Sequence, residues 1–217
     1  MEHKLIRNAI IKSQHCQRNW DLTQEISEED MNLLVTAATE CPSKQNVAFY
    51  KVHFITDRDL IEDIHDTTRG FTTNKHPSGY ETNTQTLANL LVLFEQTNIK
   101  KTILDDTVSR NEHTRAYLEG NWNDVHEQQL KRDTYTAVGV AAGYLNVIAT
   151  LLGYSTGCCQ CFDHGTLQQV ACIKGAPLLL MGIGYSQKGV NRRRHHIRTD
   201  FMFSTKRKQP IQVEFHK

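Results

Sequence analysis

The sequence predicts a domain of mixed helix and strand, α+β or α/β, on three observations. Apolar residues recur at helical spacing in several segments, short continuous apolar runs lie between them, and Gly, Pro or capping residues mark the changeovers. Neither an all-helical bundle nor a β-sandwich fits that alternation.

Residues 3–13 set Leu5, Ile6, Ala9 and Ile10 on one helical face. Ser27-Glu28-Glu29-Asp30 has the form of a capping box, with Asp30 at the third position. Met31, Leu34, Val35 and Ala38 carry that helix forward until Pro42 stops it. Residues 49–56 read as a strand, after which Asp57 caps a helix bearing Leu60, Ile61 and Ile64. Residues 90–94, all apolar, read as a buried strand.

Residues 97–131 are polar and lack apolar periodicity, which predicts a surface excursion with short helices. The longest helical pattern covers 132–152, with Gly139 and Gly143 inside it. A helical glycine costs about 1 kcal/mol relative to alanine, so two imply a very close neighbour. A helix buried all round satisfies this, and so does a helix at a subunit interface. A strand near 154–159, a helix near 164–173 and a buried run at 178–183, closed by Gly184, complete the order. Residues 198–217 read as an extended arm.

The 217 residues suit one sizeable domain or two small ones, and no repeat, low-complexity block or Pro/Ser-rich linker divides them. With 25 basic and 24 acidic residues the net charge is +1, which offers no overall field for nucleic acid or an anionic membrane. No apolar stretch looks long enough to span a bilayer. The segment MEHKLIRNAIIKS lacks the pattern of a secretory signal, so the six cysteines are expected to be reduced thiols of a cytoplasmic protein.

Three clusters could carry chemistry. Residues 14–21, QHCQRNWD, combine His15, Cys16 and Arg18 in a polar turn after the first helix. Such groups can hold a phosphate, and they equally fit a solvated helix end. Residues 191–198, NRRRHHIR, follow the last strand and read as an anion site, a solvated loop or a nucleic-acid patch. Near-zero net charge and the lack of interleaved aromatics argue against the last. Cys158, Cys159 and Cys161 with His164 suggest a zinc site or a thiol nucleophile with a histidine base. The spacing opposes zinc, because adjacent cysteines in a strand point to opposite faces and no C-x-x-C pair is present. Gly182-Ile183-Gly184 lacks the third glycine and following helix of a dinucleotide fingerprint, and no Walker A or H-E-x-x-H motif occurs.

Taken in order along the chain, these pieces resemble the FMN-dependent nitroreductase superfamily over nearly the whole length. Residues 14–20, QHCQRNW, are similar to the family's Arg-x-Ser-x-Arg phosphate motif, with Gln14 and Cys16 in place of the usual Arg and Ser. Pro42, Ser43 and Asn46 match its Pro-Ser-x-x-Asn loop, while Ala48-Phe49-Tyr50 stands where Gln-Pro-Trp is usual. Asn83 is the nearest match to an Asn before the mid-chain strand, and helix 132–152 with Gly153 resembles the central helix and its Leu-Gly turn. Arg192 and Arg194, with Arg193 a competitor, match a basic pair after the last strand.

The resemblance implies an α+β nitroreductase-like fold, with a central mixed, mainly antiparallel sheet flanked by helices. It implies one domain over 1–217, with a variable excursion at about 70–131, assembled as an intertwined homodimer with FMN at each interface. Arg18, Arg192 and Arg194 would clamp the phosphate, with Gln14, His15 and Cys16 beside the ribityl chain. Asn83 would meet the pyrimidine edge, the backbone at Cys159, Gln160 and Cys161 would approach flavin N5, and Pro42, Ser43 and Asn46 would reach the partner's flavin. NAD(P)H would be the co-substrate and an electron-poor nitroaromatic or quinone the acceptor, with Phe71, Tyr80, Tyr117 and Trp122 as candidates to roof its pocket. No catalytic side chain and no metal is implied. Dehalogenation, ene reduction, flavin fragmentation, non-catalytic FMN binding and a Cys/His metal-binding protein are the alternatives.

Overall fold

The structure, a computed structural model, describes residues 2–69, 71–72, 80–81, 83–97, 120, 123–187 and 208–215. Among the described residues the α-helices are α1 (Glu2–Ser13), α2 (Glu28–Thr39), α3 (Arg58–Asp66), α4 (Asp124–Leu151) and α5 (His164–Val170). The strands are β1 (Tyr50–Ile55), β2 (Phe71–Thr72), β3 (Tyr80–Glu81), β4 (Leu90–Gln96), β5 (Ser155–Cys159) and β6 (Pro177–Gly184). Strands β2 and β3 form a separate small hairpin.

The main sheet runs in the order β1-β4-β6-β5, and each of its ladders is antiparallel. This makes the fold α+β. Mixed character is confined, among the described residues, to an isolated parallel bridge between Cys16 and Thr156. Alternate residues of β4 and β6 face opposite layers. Leu90, Val92, Phe94, Leu179, Met181 and Ile183 pack on α2 and α4, whereas Leu91, Leu93 and Leu180 pack on α3 and α5. Because both faces are covered, the strands read as unbroken apolar runs.

Local chemistry fixes the element ends. Ser27 Oγ accepts from Asp30 N at 3.1 Å, but the Asp30 carboxylate accepts instead from Tyr154 Oη at 2.6 Å, so half of the capping box becomes a tertiary contact. Asp57 Oδ1 accepts from Leu60 N at 2.9 Å, and Asp163 Oδ1 from Thr166 N at 2.9 Å.

The central helix corrects three expectations. It begins at Asp124, inside the supposed excursion, where Asn123 accepts from the Val125 and His126 amides. Its first turns carry Leu130 as their one buried side chain, so the apolar period is missing there. Nor is it buried all round: Gly139 and Gly143 are exposed, and a Cβ at either would meet no atom within 4 Å. It is also long and apolar enough, by composition, to cross a bilayer. Burial of Val138, Ala141, Ala142, Leu145 and Ala149 in the core accounts for that apolarity.

Candidate active site

The chain leaving α1 turns back along the outer edge of β5. Cys16 bridges Thr156, and Gln17 N donates to Thr156 O at 2.7 Å. Gln17 Oε1 accepts from the amides of Arg18 and Asn19 at 2.8 and 3.0 Å, which curls the loop around one side chain. Trp20, 2% exposed, anchors the loop by donating its indole N–H to Thr84 O at 2.9 Å. Gln14, His15 and Cys16 are exposed, and Arg18 is half-buried.

The turn at residues 83–86 lies over the same end of the sheet. Thr84 Oγ1 donates to Arg18 O at 3.0 Å, joining turn to loop. Gln85 is buried against β5 and β6, where Gly157 and Gly182 are direct partners. A Cβ on Gly157 would stand 2.7 Å from Gln85 Cβ, and one on Gly182 would stand 2.0 Å from Gln85 O. Only a bare backbone admits the turn so close. Asn83, 5% exposed, donates from Nδ2 to Arg69 O at 2.7 Å and accepts from Gln85 Nε2 at 3.3 Å. Gln85 Oε1 is buried and has no hydrogen-bond partner among the described residues.

The exit from β5 forms the third wall. Cys159 is 3% exposed, and burial pushes its thiol up to about 11, against an opposing hydrogen bond from Cys161 N. It also lies within electrostatic reach of Cys16 and Arg18, so loop and strand end share one locality. Gln160 and Cys161 are exposed. Arg69 N donates to Cys161 O, and Asp163 N donates to Thr67 O at 2.9 Å, so the end of α3 holds this wall in place. Among the described residues no group of three or more His, Cys, Asp or Glu is arranged to hold a metal ion. The His164 ring lies edge-on to Phe162, with centroids 5.0 Å apart.

The loop at 42–46 sits elsewhere. It precedes β1, the opposite edge strand, three strand spacings or roughly 14 Å from β5. Pro42 and Asn46 are exposed, while Ser43 Oγ donates to Val47 O at 2.8 Å. Gln45 and Asn46 adopt φ of 54° and 57°, the left-handed region that non-glycine residues seldom enter. Lys44 Nζ pairs with Asp133 Oδ2 at 2.8 Å and ties the loop to α4. Pro42, Ser43 and Asn46 line a cavity of about 850 Å3 with Val35, Cys41, Tyr50 and Val52.

A single chain therefore gathers residues 14–18, 83–85 and 159–161, and leaves 42–46 at the far edge. Arg192, Arg193 and Arg194 lie outside the described residues, as do Tyr117, Trp122 and the side chains of Phe71 and Tyr80. Sequence reasoning missed Gln85, although its position two residues after Asn83 in a polar turn before a buried strand was visible.

The model of the nitroreductase family matches residues 11–185. The chain belongs to the nitroreductase family. Nitroreductase-family folds recur among solved structures. A nitroreductase family protein from Streptococcus pneumoniae is 15% identical, with 90% of this chain and 96% of that chain covered and a TM-score of 0.58. A protein of Exiguobacterium sibiricum, solved in complex with FMN, is 19% identical over 87% of this chain and 92% of its own, also with a TM-score of 0.58. A Staphylococcus epidermidis protein assigned as an NAD(P)H:FMN oxidoreductase is 16% identical over 88% and 92%, with a TM-score of 0.60. At such identities the likeness is one of fold. No curated protein matches the chain significantly. Membership of this family makes the protein an oxidoreductase of the flavin-binding class.

Proposed function

We propose that this nitroreductase-family protein is a homodimeric, cytoplasmic, FMN-dependent oxidoreductase that passes hydride from NAD(P)H to an electron-poor nitroaromatic or quinone. The observation that carries the reading is the division of the site. The cationic loop, the polar turn and the β5 exit converge at one sheet edge, while the matching Pro-Ser-x-x-Asn loop stands at the other. A second copy reunites the two halves across an interface. The surface suits such a copy, since Leu5, Ile6 and Ile10 of α1 and Tyr144 of α4 are 61%, 47%, 53% and 47% exposed, beside bare Gly139 and Gly143.

The residues present fit FMN. Arg18 would hold the phosphate, together with Arg192 and Arg194, and Gln14, His15 and Cys16 would flank the ribityl chain. Cys16 keeps the backbone of a serine position but offers a weaker donor. Asn83 has both ends of its amide engaged within the protein, so it acts as a brace. Gln85, with its unfilled buried oxygen, is the group assigned to an N–H of the flavin's pyrimidine edge. The backbone at Cys159, Gln160 and Cys161 would approach N5, and Pro42, Ser43 and Asn46 would close the site from the partner. Bound FMN supplies two-electron hydride exchange at N5. The chain's own task is to place the ring, exclude water from one side and leave the other open to reactants, so no catalytic dyad is required.

The test is an anaerobic titration. Purified protein should be yellow, should bleach with NADPH or NADH, and should recolour with a quinone or nitroaromatic. Protein that is yellow but inert to both nucleotides would refute the enzymatic reading, and protein unable to take up FMN would refute the site.

A further inference from the structure

The geometry points to His65 as a positioning residue of this cradle: through Thr86 it sets the turn at 83–86, and with it Gln85, against the β5–β6 glycines. The inference rests on the flavin reading above.

His65 lies on the last turn of α3 and is 2% exposed. An apolar side chain would suit its neighbours, for Ile61 and Ile64 are fully buried on the same helix. A buried imidazole is costly unless its polar atoms are engaged. Here Nδ1 meets Thr86 Oγ1 at 3.1 Å, and Thr86 Oγ1 donates to Asn83 O at 2.9 Å. One hydroxyl thus ties the imidazole to the Asn83 carbonyl. The contacts run in sequence from His65 through Thr86 to the Asn83 carbonyl.

That carbonyl belongs to the peptide leading into the turn, so its direction helps to fix where Asn83 and Gln85 point. The tolerance is small, because Gln85 O already occupies the space that a Cβ on Gly182 would take. Further contacts secure the turn: Thr86 N also donates to Asn83 O, Trp20 holds Thr84 O, Thr84 Oγ1 holds Arg18 O, and Arg69 O holds Asn83 Nδ2. The same end of α3 binds the opposite wall through Thr67 and Arg69. His65 thus sits in a helical turn that joins the polar turn to the β5 exit.

The experiment measures FMN affinity and the visible circular dichroism of the bound flavin. His65→Leu fills the space but leaves Thr86 without its imidazole partner, and should raise the FMN Kd about tenfold while altering the dichroic band. His65→Asn, whose amide can meet Thr86 near the Nδ1 position as donor or acceptor, should restore most of both. Thr86→Val should match His65→Leu, and the double variant should be no worse than either single one. Wild-type protein that does not bind FMN would overturn the flavin reading itself. Wild type that binds FMN, with His65→Leu or, should that variant not fold, Thr86→Val showing unchanged affinity and dichroism, would overturn the role of His65 alone. A loss of thermal stability without a change in the flavin signal would assign His65 to packing and also overturn it.

Discussion

Gly157 and Gly182 face each other across β5 and β6, and Gln85 rests on the pair, its Cβ over Gly157 and its carbonyl oxygen over Gly182. The absence of two side chains thus creates a place for a polar turn on an otherwise apolar sheet face.

Replacing Gly182 by alanine would bring a Cβ to 2.0 Å from Gln85 O and 2.9 Å from Ala88 Cβ. Backbone cannot yield as a side-chain tip does, so Gly182→Ala should cost about 1–3 kcal/mol of stability. Urea denaturation checks this, and retained wild-type stability would show that the turn moves freely.

Arg18→Ala should fold normally yet lose FMN on dialysis. A charge-assisted hydrogen bond is worth about 1.5–3 kcal/mol, corresponding to about a ten- to hundredfold rise in Kd. Equilibrium titration with FMN and with riboflavin is the measurement. The loss should be much smaller for riboflavin, which has no phosphate, and equal losses would remove the phosphate from Arg18.

Glu95 offers a test by pH. Burial opposes its ionisation, but donors from Gly175 N, His53 and Lys174 N prevail and hold its pKa below the ordinary 4.5. A carboxylate depressed on folding adds stability above its unfolded pKa. That stability is lost as pH falls from about 4.5 through the lower native value. Glu95→Gln should therefore be less stable at neutral pH, by about 1–3 kcal/mol, with a shallower decline in acid. Thermal melts from pH 7 to pH 3 would show it, and parallel curves for the two proteins would contradict it.

The thiols should fall into two classes. Cys159 is buried, with its thiol pushed up to about 11, and should resist alkylation at pH 8 until the protein unfolds. Cys16, Cys161 and Cys172 are exposed and should react in the native state. Mass mapping after iodoacetamide treatment separates the two, and prompt labelling of Cys159 would contradict its burial.

Much of the scaffold is legible in the sequence. Ser27, Asp57 and the apolar runs at 90–94 and 178–183 mark local events, in which a cap or a buried strand depends on residues close in sequence. The first turns of α4 escaped notice because Asp124 to Lys131 face outward except at Leu130, so no apolar period announces them. Gln85 escaped as well, because nothing near it in sequence shows that Gly157 and Gly182 lie beneath it. The role of His65 was invisible for the same reason, since its partner Thr86 belongs to a different element.

The sequence by itself determined the order of elements, the two-faced sheet core and the nitroreductase likeness, because capping and periodic burial act over a few residues. Only the tertiary structure decided which polar groups meet. It put residues 16–18, 85 and 159–161 at one edge of the sheet and 42–46 at the other, because strand order is set by long-range pairing that no local pattern encodes.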